Sequence, residues 1–147
     1  MRYRSLVALG LLSALFVPSS GLALSQGAPP TQPVGATVTV DGGHPWVDSG
    51  LLVRKGEALA FQAAGAIRWG TKAEQVAGPD GHGSKAGKVG PGGLIGRIGI
   101  NGKPFAIGAT HTPIVMPKGG RLYLGINDFV FGDNAGAFVV AITRQAP

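Results

Sequence analysis

The sequence predicts an all-β fold, a small antiparallel β-sandwich, and two observations carry that prediction. The first is composition. The 147 residues include 26 glycines and 11 prolines, a quarter of the chain in the two poorest helix formers. Disorder does not follow, because 44% of the residues are hydrophobic and only 14% are charged, enough apolar matter to bury a core. The second is a period of two in the apolar residues, the mark of half-buried strands, which returns along most of the chain. At this length one domain suffices.

The first 23 residues stand apart from the fold. Arg2 and Arg4 precede an apolar run from Leu6 to Val17, and small residues follow, with Gly21-Leu22-Ala23 or Ala23-Leu24-Ser25 as the cleavage pattern. This is the layout of a secretory signal peptide, and its apolar run falls short of the roughly 20 residues of a membrane span. An uncleaved signal anchor is the competing reading. Residues 24–35 (LSQGAPPTQPVG) are polar and proline-rich and read as a flexible leader. The domain is expected over residues 36–147, in a secreted or periplasmic protein that does not insert into a membrane once the signal is removed. The chain has no cysteine, which excludes a lipoprotein anchor, disulfides, a thiolate nucleophile and cysteine-ligated zinc.

Six segments of the domain alternate. Ala36–Val40 (ATVTV) comes first, then Glu57–Ala63, with Leu59 and Phe61 on one side. Leu94–Ile100 follows, and Lys103–Ile107 puts Phe105 and Ile107 on one face. The clearest are Arg121–Asn127, which sends Leu122, Leu124 and Ile126 to one side, and Ala137–Thr143, which does the same with Phe138, Val140 and Ile142. Roughly six to eight such strands without a convincing helix make a sandwich. Two connections stand out. Gly70–Gly92 holds seven glycines together with Lys72, Glu74, His82, Lys85 and Lys88, and unstructured loops of that length are uncommon and usually functional. Asn127–Gly136 joins the two best strands and carries Asp128 and Asp133, two of the seven acidic residues.

Charge and chemistry narrow the function. The formal charge of +6 becomes +4 without the two signal arginines, and no basic run exceeds two residues. Nucleic-acid binding, which shows a clustered basic stripe, is therefore not expected. The three histidines, His44, His82 and His111, lie in separate segments and lack helical metal spacing. No G-x-S-x-G elbow is present. Gly102-Lys103 is followed by Pro104, where a phosphate loop has Ser or Thr, and Gly81-x-Gly83 has no strand before it and no helix after it. Asp128 and Asp133 could match a glycosidase carboxylate pair in distance, but neither has the apolar setting of an acid. An enzyme is not expected.

The Asp128–Asn134 loop reads better as a hard-cation site. Asp128, Asp133 and Asn134 supply side-chain oxygens, while Gly132 and Gly136 let the backbone turn its carbonyls inward. Calcium takes 6–8 oxygens in irregular geometry, whereas magnesium keeps its waters. The spacing is not that of an EF-hand. The same Asp/Asn/Gly cluster also fits an ordinary turn.

Taken in order, several motifs resemble the calcium-dependent galactose-binding lectins of the PA-IL-like type. They are Trp46-x-x-Ser49-Gly50, Ala63-Ala64-Gly65, Trp69-Gly70, Gly78-Pro79-Asp80-Gly81 and Leu94-Ile95-Gly96-Arg97-Ile98-Gly99. The last are Leu122-x-Leu124-x-x-Asn127-Asp128 and Gly132-Asp133-Asn134-x-Gly136. The resemblance spans about Trp46 to Ile142 and implies a jelly-roll-like sandwich. It also implies calcium held by the Trp69 carbonyl, the side chains of Asp128, Asp133 and Asn134, and a loop carbonyl at Val130, with two vicinal sugar hydroxyls completing the sphere. Sugar contacts are implied for His82, Asp128 and Asp133, while Phe129, like Phe131, reads either as a core anchor under the loop or as an aromatic platform of the usual sugar-facing kind. The chain departs from the pattern in two places. The cation loop is two residues shorter than in the galactose-binding member, so Phe131 competes with Val130 for the carbonyl, and Asp133 stands where that member has asparagine.

Function is thus expected to be calcium-dependent carbohydrate binding, galactose-type by resemblance, with a homo-oligomer left open. The alternative is a structural module in which calcium only clamps the last hairpin. Trp46 and Trp69 also read as packing residues, and His44 and His111 carry no functional case.

Overall fold

The computed structural model describes residues 35–109 and 112–145. The signal peptide, most of the leader and His111 lie outside these residues. Nine strands and no helix are found among the described residues. They are β1 (Gly35–Asp41), β2 (Val47–Val53), β3 (Ala58–Arg68), β4 (Val76–Ala77), β5 (Leu94–Ile98), β6 (Phe105–Ala106), β7 (Ile114–Val115), β8 (Gly120–Ile126) and β9 (Ala135–Arg144). Two sheets form. One runs β1-β9-β3-β4, with β7 also on β3, and the other runs β2-β8-β5-β6. Every pairing is antiparallel, the arrangement the alternating pattern predicts.

The core lies between the sheets and is built from the faces the period marks. Leu59 and Phe61 of β3, Leu122, Leu124 and Ile126 of β8, and Phe138, Val140 and Ile142 of β9 are all buried. They join Val38 and Val40 of β1 and Leu94 and Ile98 of β5 in one cluster. Removing such side chains from water, at roughly 25 cal/mol per Å² of apolar surface, is what holds the layers face to face. Glu57 and Arg144 close one corner with an ion pair, and Arg144 also donates to the Leu52 carbonyl at 2.9 Å.

The structure departs from the alternation pattern in four places. Strand β2 alternates in burial, with Ser49, Leu51 and Val53 inward, but its sequence hides the period because a serine faces the core and Leu52 faces out, and its pairing with β8 slips register between Asp48 and Leu52. Gly50 sits in that irregularity at φ +76°, and the buried Ser49 hydroxyl donates to the Leu122 carbonyl at 2.7 Å. Strand β5 stops at Ile98 rather than Ile100, since Gly99 turns the chain at φ +80° and its carbonyl accepts from Gly102 N. The Lys103–Ile107 segment contributes only two strand residues, Phe105 and Ala106. The long Gly70–Gly92 connection is ordered locally: it contains β4 and a bridge between Lys85 and Lys88.

Antiparallel pairing brings particular chain ends together. Arg68 faces Ala135, Asp41 faces Ala137 and Leu94 faces Ile126. The exits of β1, β3 and β8 and the approaches to β5 and β9 therefore share one end of the sandwich. The Asn127–Asn134 loop is seated there.

Candidate functional site

The loop from β8 to β9 is held by its own side chains. Asp128 Oδ1 accepts from the backbone N–H of Phe129 at 2.7 Å and, more weakly, from that of Val130 at 3.4 Å. Across the loop, Asn134 Nδ2 donates to Asp128 Oδ2 at 2.8 Å and to the Gly42 carbonyl at 3.1 Å. One amide thus ties the two ends of the loop to each other and to the turn after β1. Gly42 N in return donates to the Gly136 carbonyl at 3.0 Å.

What the amide leaves undone is informative. Asn134 Oδ1 is buried and has no hydrogen-bond partner among the described residues. A buried carbonyl oxygen left so is costly and in native proteins usually marks a water or an ion. Trp69 Nε1 is a second such atom, and it belongs to the same end of the sandwich. The β3–β9 register that sets Arg68 opposite Ala135 carries Trp69 toward Asn134 at its next step. The Trp69 ring lies against Gly92, where any Cβ would fall 2.5 Å from Cδ1 of the indole. Gly92 N donates to the Asn127 carbonyl, and Asn127 N to that of Gly93, so the tryptophan is packed beside the start of the loop.

The expected site residues are distributed as follows. Asp128 and Asn134 are hydrogen-bonded to each other, Trp69 leaves β3 at the same end of the sandwich, and the Val130 N–H points to the Asp128 carboxylate. His82 lies beside Trp69, with ring centroids 6.0 Å apart and planes tilted by 48°, and its ring is exposed. Phe129 is 94% exposed at the loop tip. Asp133 is also exposed, in the turn where Asn134 N donates to the Phe131 carbonyl at 3.3 Å, and among the described residues no hydrogen bond ties its side chain to the loop as Asn134 ties Asp128. Among the described residues no three histidine, cysteine, aspartate or glutamate side chains gather as a ligand set, so amide and main-chain oxygens would have to complete any cation shell.

Two participants were not legible in the sequence. The Gly42 carbonyl reaches Asn134 from 92 positions away, and a glycine carbonyl gives no sequence signal. Asn127 donates its side-chain amide to the carbonyls of Val89 and Gly90 at 2.9 and 3.2 Å, anchoring the Lys85–Lys88 turn beside the loop. Asp80, from the glycine-rich connection, accepts instead from Ala109 N at 2.8 Å and ties that connection to the segment after β6.

The donor set fits a hard cation. Each carboxylate oxygen has two lone pairs, and Asp128 uses them only in part. The orphaned Asn134 oxygen is a neutral hard donor of the kind calcium accepts.

A two-sheet antiparallel sandwich with a polar loop at one end defines a class of small binding proteins rather than a particular one. Comparison with known proteins narrows it. No protein-family model matches the chain. It is 31% identical over 101 residues to Lectin A of Photorhabdus laumondii subsp. laumondii, over 67% of this chain and 81% of that protein. The chain belongs to the Lectin A family. The solved N-terminal domain of EclA, described as a PllA-like lectin, has the same fold, with a TM-score of 0.65 and 23% identity over 75% of this chain and 96% of that one.

Proposed function

We propose that the chain is an exported, calcium-dependent carbohydrate-binding protein without catalytic activity, whose site is the β8–β9 loop. The observation that carries this reading is the buried, unpartnered Asn134 oxygen beside the Asp128 carboxylate, at the end of the sandwich where Trp69 leaves β3. Kinship with Lectin A supports the carbohydrate.

Asp128, Asn134 and the Trp69 carbonyl would hold the cation, with Asp133 and the Val130 carbonyl from the exposed side of the loop. Calcium supplies a charge at which a pair of sugar hydroxyls replaces two waters. The protein's own part is orientation. Asp128 is fixed by the N–H groups of Phe129 and Val130 on Oδ1 and by Asn134 on Oδ2, so the remaining lone pair of Oδ2 is aimed before ligand arrives. It accepts hydroxyl protons as charge-assisted hydrogen bonds. The exposed Phe129 ring offers a face to the apolar side of a sugar, and His82 a polar edge next to Trp69. Galactose is the first sugar to try, because the lectin type resembled in sequence prefers it.

A glycan array probed with and without calcium tests the reading. Calcium-dependent binding of a defined set of glycans is expected. Stabilisation by calcium with no glycan bound would leave calcium as a clamp on the β8–β9 connection, which joins the two sheets rather than closing a hairpin, and overturn the lectin reading.

A further inference from the structure

Two lysines of the long connection are set side by side. Lys85 and Lys88 face each other across an isolated antiparallel bridge. Lys88 N closes it by donating to the Lys85 carbonyl at 2.9 Å, and Gly87 turns the chain between them at φ +75°. Residues directly opposite in such a pair send their side chains to one face, about 4.5–5.5 Å apart at Cβ, and like charges there repel. Among the described residues no carboxylate offsets that repulsion. Asp41, Asp48 and Glu57 are taken by His44, Arg121 and Arg144, and no ion pair reaches Lys85 or Lys88.

Both lysines line a cavity of about 560 Å³, within the range of ligand sites. Ser84 and Thr112 bring hydroxyls to its lining. Asp80 is the one acidic residue there, and its Oδ1 already accepts from Ala109 N at 2.8 Å. Two cations against one engaged carboxylate leave the lining positive. Lys88 also borders the space next to Asp128 and Phe129. The Asn127 side-chain amide holds the chain just after Lys88 by the Val89 and Gly90 carbonyls. The residue before Asp128 thus fixes the lysine turn beside the loop site.

We infer that the Lys85–Lys88 turn seats an anionic group, a carboxylate or a sulfate ester, carried by the glycan whose hydroxyls are held at Asp128. A neutral sugar leaves the two ammonium groups facing each other. An anion between them replaces repulsion by two charge-assisted hydrogen bonds. Asp128 repels that part of the ligand, so charge alone sorts which end of the glycan lies at the loop and which at the lysines. The inference rests on the carbohydrate reading above and gives it a ligand class, acidic rather than neutral glycans.

The test is calorimetric titration of the calcium-loaded protein with the methyl glycosides of galactose, glucose and mannose. The same glycosides carrying a 6-carboxylate or a 6-sulfate are titrated beside them, at about 50 mM and about 500 mM salt. For the sugar that binds, an acidic form is expected to bind about tenfold tighter than the neutral one at the lower salt, with less advantage at the higher. The acidic form that gains tells carboxylate from sulfate. Both lysines are exposed, so substitution leaves the core untouched. Lys85→Gln combined with Lys88→Gln is expected to erase the advantage with neutral glycoside affinity unchanged, and Lys85→Arg combined with Lys88→Arg to keep it. Equal affinities of acidic and neutral forms, or an advantage that survives the double glutamine variant, would overturn the anion seat while leaving the lectin reading intact. No binding of any of these glycosides, neutral or acidic, would defeat the carbohydrate reading, and the anion seat with it.

Discussion

Asn134 donates its side-chain amide to Asp128 at 2.8 Å while its own carbonyl oxygen is buried without a partner. The pair closes the β8–β9 loop and leaves one acceptor aimed at nothing the protein supplies. Asn134→Ala removes the bonds to Asp128 and to Gly42, and a loss of about 1–2 kcal/mol in calcium-free buffer is expected. Asn134→Asp keeps an oxygen but sets a carboxylate against Asp128, so calcium should rescue its stability far more than that of the alanine variant. Thermal melts of both proteins, with and without calcium, check this. Equal rescue would show that position 134 does not meet the cation.

On the proposed reading, calcium bound at this loop would stabilise the folded state by linkage, about 2.7 kcal/mol at a hundredfold excess over Kd. Asp128→Ala and Asp133→Ala are each expected to abolish the chelator-sensitive part of the melting temperature. Asp133 is the sharper probe, because among the described residues no hydrogen bond ties its side chain to the loop as Asn134 ties Asp128. Retained calcium response in that variant would leave Asp128, Asn134 and backbone oxygens as the whole set.

Gly92 combines a left-handed backbone, φ +73°, with a position 2.5 Å from the Trp69 ring. Gly92→Ala is expected to cost about 1–3 kcal/mol and to change the tryptophan fluorescence. Gly83 has a similar φ of +61° and nothing within 4 Å. Gly83→Ala therefore carries the backbone cost alone, and the difference between the two denaturation midpoints measures the push on Trp69.

Asp48 sits where β2 breaks register. The backbone N–H of Gly50 is the main cause holding its carboxyl below the ordinary value of 3.8, with Arg121 adding to it and burial opposing. A lowered folded-state pKa contributes stability that is complete above that ordinary value and is lost as the pH falls through the lower folded value. Asp48→Asn should thus cost up to about 1 kcal/mol at neutral pH, screened as the pair is by solvent. The gap between mutant and parent should close below pH 3.8. Urea unfolding across pH 2 to 7 follows it, and a pH-independent gap would mean that the side chain's charge contributes nothing.

Much of the fold was legible because it is local. Leu122, Leu124 and Ile126 alternate, and so do Phe138, Val140 and Ile142, since a strand turns successive side chains to opposite faces. Strand β2 was not, because its inward face carries the polar Ser49 beside Leu51 and Val53 while the apolar Leu52 faces out, so an intact alternation of burial leaves no alternation of hydrophobicity. At the site, Asp128 and Asn134 declared themselves as oxygen donors six positions apart. Gly42 and Asn127 did not: one acts through a backbone carbonyl, the other through bonds to residues 37 and 38 positions away.

By itself, then, the sequence determined an all-β chain with two layers and a loop of hard oxygen donors between its last two strong strands. Those properties follow from side-chain alternation and glycine backbone freedom, which act within a few residues. Only the tertiary structure decided that Gly42 and Asp128 are joined through the Asn134 amide, and that Trp69 packs against Gly92 beside the start of the loop. Antiparallel ladders impose these meetings by carrying distant chain ends to one edge of the sandwich, and the pairing that does so depends on which strands pack together.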